Sequence, residues 1–126
     1  EWTARNVASA AVWLFDATND ITLNEQSGMA PRLSDAGATV AITTGNTTAA
    51  GTVAKAAGRM ATNDYAFCLN GGTVGTDTGA TAPGTLTASR LGLDLAGANP
   101  LNGYIRRVGA FKTTQQANAS LQALTA

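Results

Sequence analysis

The sequence predicts an all-β fold: two antiparallel sheets packed as a sandwich, with a short helix at the C-terminal end. Three observations carry this. Apolar and polar residues alternate with a period of two along most of the chain, clusters of Gly, Asn, Asp and Pro arrive at the spacing expected between short strands, and helical spacing occurs only at the C-terminal end. A chain of 126 residues suits one domain with one core, residues 1–126.

Each element has its own local reason. Glu1-Trp2-Thr3-Ala4-Arg5 is strand-like from its first residue, so the chain reads as the C-terminal module of a longer polypeptide. Ala11 to Phe15 is apolar on both faces, as suits a central strand, and stops at the turn-rich loop Asp16-Ala17-Thr18-Asn19-Asp20. Ile21 and Leu23 alternate with Thr22 and Asn24, giving a strand with one wet face; Met29 to Ser34 and Thr39 to Thr43 follow as two more, separated by Asp35-Ala36-Gly37. Thr43 to Thr52 holds only Thr, Gly, Asn and Ala and reads as an exposed loop. Thr52 to Met60 is the next expected strand, closed by a turn at Thr62-Asn63-Asp64.

The clearest signal lies in the middle of the chain. Tyr65, Phe67 and Leu69 alternate with Ala66 and Cys68, enter Asn70-Gly71-Gly72 and resume as Thr73 to Thr76, a hairpin whose turn demands positive φ. Leu86 to Leu93 and Leu101 to Phe111 are expected strands around a loop from Asp94 to Pro100. The last breaks alternation between Ile105 and Val108, and a bulge there would carry Ile105, Val108 and Ala110 all to apolar neighbours. Thr113 or Thr114 can cap the terminal helix, with Gln116 completing a weak capping box, and Leu121 and Leu124 are expected to face the sheet.

Composition excludes several partner classes. Eight basic residues balance eight acidic ones, so the sequence carries no electrostatic footprint for nucleic acid or anionic lipid. The charged fraction of 13% is about half of what soluble domains usually carry, leaving Thr, Ser, Asn, Gln and Gly to solvate the surface; weak self-repulsion then favours association with other copies. The lone Cys68 rules out an internal disulfide, and no apolar run is long enough to cross a membrane as a helix.

A set of ordered motifs carries a resemblance. Tyr65-Ala66-Phe67-Cys68-Leu69-Asn70-Gly71-Gly72, then Arg90-Leu91-Gly92-Leu93, then Leu101-Asn102-Gly103-Tyr104-Ile105-Arg106-Arg107-Val108, then a short helix ending Leu121-Gln122-Ala123-Leu124-Thr125, resembles a concanavalin A-like, laminin-G-type jelly roll. More narrowly, it is similar to the version near the C-termini of bacteriophage structural proteins, tail fibres and other virion-surface proteins among them. The likeness is specific from Val53 onward and general before it. It departs after the bulged strand, where Gly109-Ala110-Phe111-Lys112-Thr113-Thr114 replaces the usual aromatic pair and basic residues. The resemblance implies carbohydrate or assembly contacts on the concave sheet or rim loops, and often a trimeric fibre.

Candidate chemistry is sparse. The chain has no histidine, so Cys68 has no imidazole to activate it, and the only glutamates, Glu1 and Glu25, do not form the paired acids of a glycosidase strand. An enzymatic role is not expected. Asp16, Asn19 and Asp20 offer oxygen ligands in one loop, a candidate Ca²⁺ site that competes with a plain Asx turn; no other cofactor is expected. Trp2, Trp13, Tyr65 and Tyr104 combine a stacking face with a hydrogen-bond donor, as sugar sites require; Trp13 reads as core, while Trp2, Tyr104 and Arg106 are the ligand-binding candidates. Arg106 and Arg107, adjacent on a strand, are expected on opposite faces.

Together these expectations describe a surface-displayed bacteriophage virion protein, a fibre or tail module that binds a host-receptor glycan. The alternative is a capsid-decoration or head-fibre module with an assembly role, and a glycan-active enzyme domain ranks behind both. Expected partners are further copies of the chain in a homotrimer, other virion proteins and a host surface glycan, without nucleic acid or membrane insertion.

Overall fold

Short antiparallel strands, joined in part by tight turns, form three sheets among the described residues. In a computed structural model of the chain, the described residues are 1–4, 10–14, 21–26, 29–35, 40–43, 48–81, 88–92, 100–110 and 116–126. Their elements are β1 (Trp2–Ala4), β2 (Ala10–Leu14), β3 (Ile21–Gln26), β4 (Met29–Asp35), β5 (Val40–Thr43), β6 (Val53–Ala54), β7 (Ala56–Ala61), β8 (Asp64–Leu69), β9 (Gly75–Asp77), β10 (Arg90–Leu91), β11 (Gly103–Ile105) and one helix, α1 (Asn118–Thr125). Mostly strands with one short helix, this is an all-β arrangement. The Asp16–Asp20 loop, the proposed caps Thr113 and Thr114, and the side chain of Trp13 lie outside the described residues.

Every ladder is antiparallel, in the orders β11-β1-β6, β10-β2-β3-β4-β5 and β7-β8-β9. The apolar stretch expected to be central is so: β2 lies between β10 and β3. Pro31 sits inside β4 without disrupting it. The β3–β4 register shifts between Asn24 and Gln26, opposite the stretch that contains Pro31, and the β4–β5 ladder begins only at Arg32, so no ladder bond needs the missing N–H.

The expected strand from Thr52 to Met60 is divided at Lys55. Val53–Ala54 pairs with β1, whereas Ala56–Ala61 pairs with β8. Asn70 holds the division from both sides, its Oδ1 accepting the Lys55 N–H at 2.8 Å and its own N–H donating to the Lys55 carbonyl at 2.9 Å. One chain path thus serves two ladders.

At the centre, β8 is buried on both faces. Tyr65, Phe67 and Leu69 join Trp2, Leu33, Ile42, Ala54 and Ala80 in the main core, and Ala66 and Cys68 meet Leu121 of α1 on the other side. Sheets approach closely where Gly58 lies opposite Phe67, for a β-carbon there would stand 3.0 Å from the Leu33 side chain. The expected hairpin is present: Asn70 (φ 49°) and Gly71 (φ 66°) make the turn, and Gly72 N–H closes it on the Leu69 carbonyl at 3.0 Å. Phe67 pairs with Gly75, so one extra residue lies on the return side and β9 starts later than expected.

The helix sits on that turn. Gly71 N–H donates to the Thr125 hydroxyl at 3.0 Å, and Thr125 Oγ1 donates back to the Leu121 carbonyl at 2.9 Å. Gln122 Nε2 donates to the Gly72 carbonyl at 3.1 Å. Arg59 secures the other end, bonding Asp64 Oδ1 through Nε at 2.8 Å and Nη2 at 2.5 Å, while Nη1 reaches the Gln116 carbonyl at 2.7 Å and Asn118 Oδ1 at 2.6 Å. An eight-residue helix is too short to persist alone, so this docking is what stabilises it. One expectation fails here: Leu121 is 1% exposed, but Leu124 is 53% exposed, because Thr125, one turn from Leu121, occupies the inward face. The helix starts after Ala117, with no side-chain cap.

Candidate functional site

The β1–β11 ladder divides the sequence-derived candidates. Trp2 pairs with Ile105 and Thr3 with Tyr104, so alternation puts one pair on each side of the ladder. Trp2 is 1% exposed and packed in the main core, which corrects its assignment as a ligand-binding residue: β1 is flanked by β11 and β6, and the indole has no face left for a sugar. Tyr65 is likewise a core residue, with no exposed surface. Tyr104 is 57% exposed, and Arg106, two residues on along the same side, is exposed as well.

Beyond Ile105 the strand bulges, as its broken alternation leads one to expect. The Glu1 carbonyl accepts N–H bonds from both Arg106, at 2.9 Å, and Arg107, at 3.4 Å, while the Glu1 amine donates to the Arg107 carbonyl at 2.9 Å. Two residues thus oppose one. The bulge does not bury what was expected of it, however, since Val108 is 41% exposed and Ala110 is exposed too. Arg106 and Arg107, expected on opposite faces, are both exposed, and both act on Glu1. Arg106 Nη1 lies 4.0 Å from the Glu1 carboxylate. Burial lowers the pKa of the Glu1 amine from the usual 8.0, Arg107 lowers it further, and the Glu1 carboxylate works against both.

Thr3 completes the face. It is only 8% exposed, its Oγ1 is buried, and that hydroxyl has no hydrogen-bond partner. A buried hydroxyl left without a partner costs about 1–3 kcal/mol, so the ladder holds an unanswered polar group beside Tyr104. In cross-strand register such neighbours have β-carbons about 5 Å apart. Sequence reasoning found Tyr104 and Arg106 by residue type. It did not single out Thr3, whose isolation only burial reveals, or Arg107.

Among protein-family models, curated proteins and solved structures, nothing matches this chain. What the face can do follows from its own side chains: an aromatic ring to stack, guanidinium groups to donate, a carboxylate to accept and a hydroxyl to do either. The proposed calcium ligands Asp16, Asn19 and Asp20 are outside the described residues, among which no cluster of acidic residues and Cys could hold a metal ion. Cys68 is fully buried, its Sγ 3.2 Å from Thr125 Oγ1 and 3.4 Å from the Gly72 carbonyl, in a structural setting beneath the helix.

Proposed function

We propose that this chain is a surface module of a bacteriophage virion, a laminin-G-type jelly roll that binds a host-receptor glycan without catalysing a reaction. The observation that carries the recognition role is Tyr104, exposed on the β1–β11 ladder with Arg106 exposed two residues on and the buried, unpartnered Thr3 hydroxyl opposite it in register. Such a face binds by stacking and hydrogen bonds, as sugar sites do. The jelly-roll reading draws support from long-range antiparallel pairing, with β1 beside β11 and β2 beside β10, and from the motif order Tyr65 to Gly72, Arg90 to Leu93 and Leu101 to Val108. The virion setting rests on that motif order. In it, the chain forms a homotrimer and contacts other virion proteins.

A glycan array tests recognition. The expected result is roughly millimolar or tighter binding to a bacterial surface polysaccharide, lost in Tyr104→Ala while the melting temperature is kept. A second reading, capsid decoration or head-fibre assembly, is favoured by the exposed Leu91 and Val108 on a chain of zero net charge. Stable trimers in light scattering with no glycan bound would replace the first reading with the second. Release of reducing sugar would contradict the non-catalytic proposal.

A further inference from the structure

We propose that the ligand of the β1–β11 face is an acidic sugar, one bearing a carboxylate or sulfate, and that Arg107 is its second guanidinium contact. This rests on the recognition reading above. At the bulge Arg106 and Arg107 are both exposed; the Arg106 guanidinium faces the Glu1 carboxylate, and the Arg107 charge acts on the Glu1 amine. Two adjacent guanidinium groups suit a planar or tetrahedral anion, which each can bind through paired N–H donors. The contact already present does not satisfy them. At 4.0 Å, with Arg106 exposed and Glu1 partly buried, the Arg106–Glu1 pair is a weak ion pair that a ligand anion can replace.

Charge alone would suit many anions, but the rest of the face narrows the class. Tyr104 offers a ring for the apolar face of a pyranose, and Thr3 Oγ1 offers a hydrogen bond that folding left unmade. In register with Tyr104, the buried Thr3 Oγ1 lies where a sugar hydroxyl would follow the ring on displacement of the tyrosine side chain. The anion at the bulge and the hydroxyl at Thr3 are then two ends of one residue-sized ligand.

The test is titration calorimetry of the full chain with oligogalacturonate and with a neutral galacto-oligosaccharide of equal length. The acidic oligosaccharide is expected to bind roughly tenfold more tightly, with the difference shrinking as salt is raised. Arg107→Gln, at an exposed position, should remove most of that preference and leave the melting temperature unchanged. Thr3→Val should weaken binding of both oligosaccharides, about tenfold, while the fold becomes no less stable. Equal affinity for the two oligosaccharides, or Arg107→Gln without effect, would overturn the inference and leave glycan recognition standing. Equal affinity for a single-stranded oligonucleotide would overturn it in favour of a general anion site. Binding of neither oligosaccharide by a chain that also fails on the glycan array would remove both.

Discussion

Gly71 shows how much one residue decides. At φ 66° it supplies the left-handed backbone of the turn, presents its N–H to Thr125, and leaves room for Ala126, whose Cα would be 3.3 Å from an added β-carbon. Gly51, at φ 80° with nothing within 4 Å of such a carbon, isolates the backbone part of that demand. Gly51→Ala is expected to cost about 1–2 kcal/mol for its left-handed φ alone. Gly71→Ala should cost about 1 kcal/mol more, because the helix end must also move. Urea denaturation of the two variants measures the difference; equal losses would mean the helix does not press on the turn. The need for glycine at Asn70-Gly71-Gly72 is legible in the sequence, since few other residues tolerate both positive φ values. The reason for Thr125 is not, because its partner is 54 residues away.

At the scale of elements, α1 illustrates what periodicity leaves open. From Leu121 a helix offers both i+3 and i+4 as neighbours on one face, and apolarity favours Leu124. The structure takes i+4, as the Thr125 hydroxyl answers the Gly71 N–H and a leucine there would leave that donor unpaired. Leu121→Ala is therefore expected to cost about 2–3 kcal/mol, near the low end for a buried leucine, whereas Leu124→Ala should stay within about 0.5 kcal/mol. Comparable losses at the two positions in chemical denaturation would contradict the docking described. The strands show the same limit. Tyr65 to Leu69 was legible because β8 has core on both faces and a turn that sets its register, while the described part of Leu101 to Phe111 forms a regular ladder over Gly103–Ile105 and then the bulge at Arg106 and Arg107: apolar content marks what can be buried, not which backbone groups find a ladder partner.

Over the whole molecule, one core joins residues from Trp2 to Ala80, with Leu101 and Ile105 packed against it, and thereby fixes which side of the β1–β11 ladder is left for a ligand. Trp2 was misassigned for a physical reason: an aromatic in an opening strand reads as a rim residue until the strand proves to lie between two others. Tyr104, on the edge strand, was legible by type alone. That Tyr104 is exposed on the side of this ladder opposite Trp2 and Ile105 is the claim on which recognition rests. Backbone amide chemical-shift mapping of the isotopically labelled chain, titrated with the polysaccharide that scores on the array, tests it most directly. Perturbations should concentrate at Thr3, Tyr104, Arg106 and Arg107 and spare the β7–β8 turn at Thr62-Asn63 and the helix. Perturbations centred on the helix or that turn, with the β1–β11 amides unmoved, would contradict it.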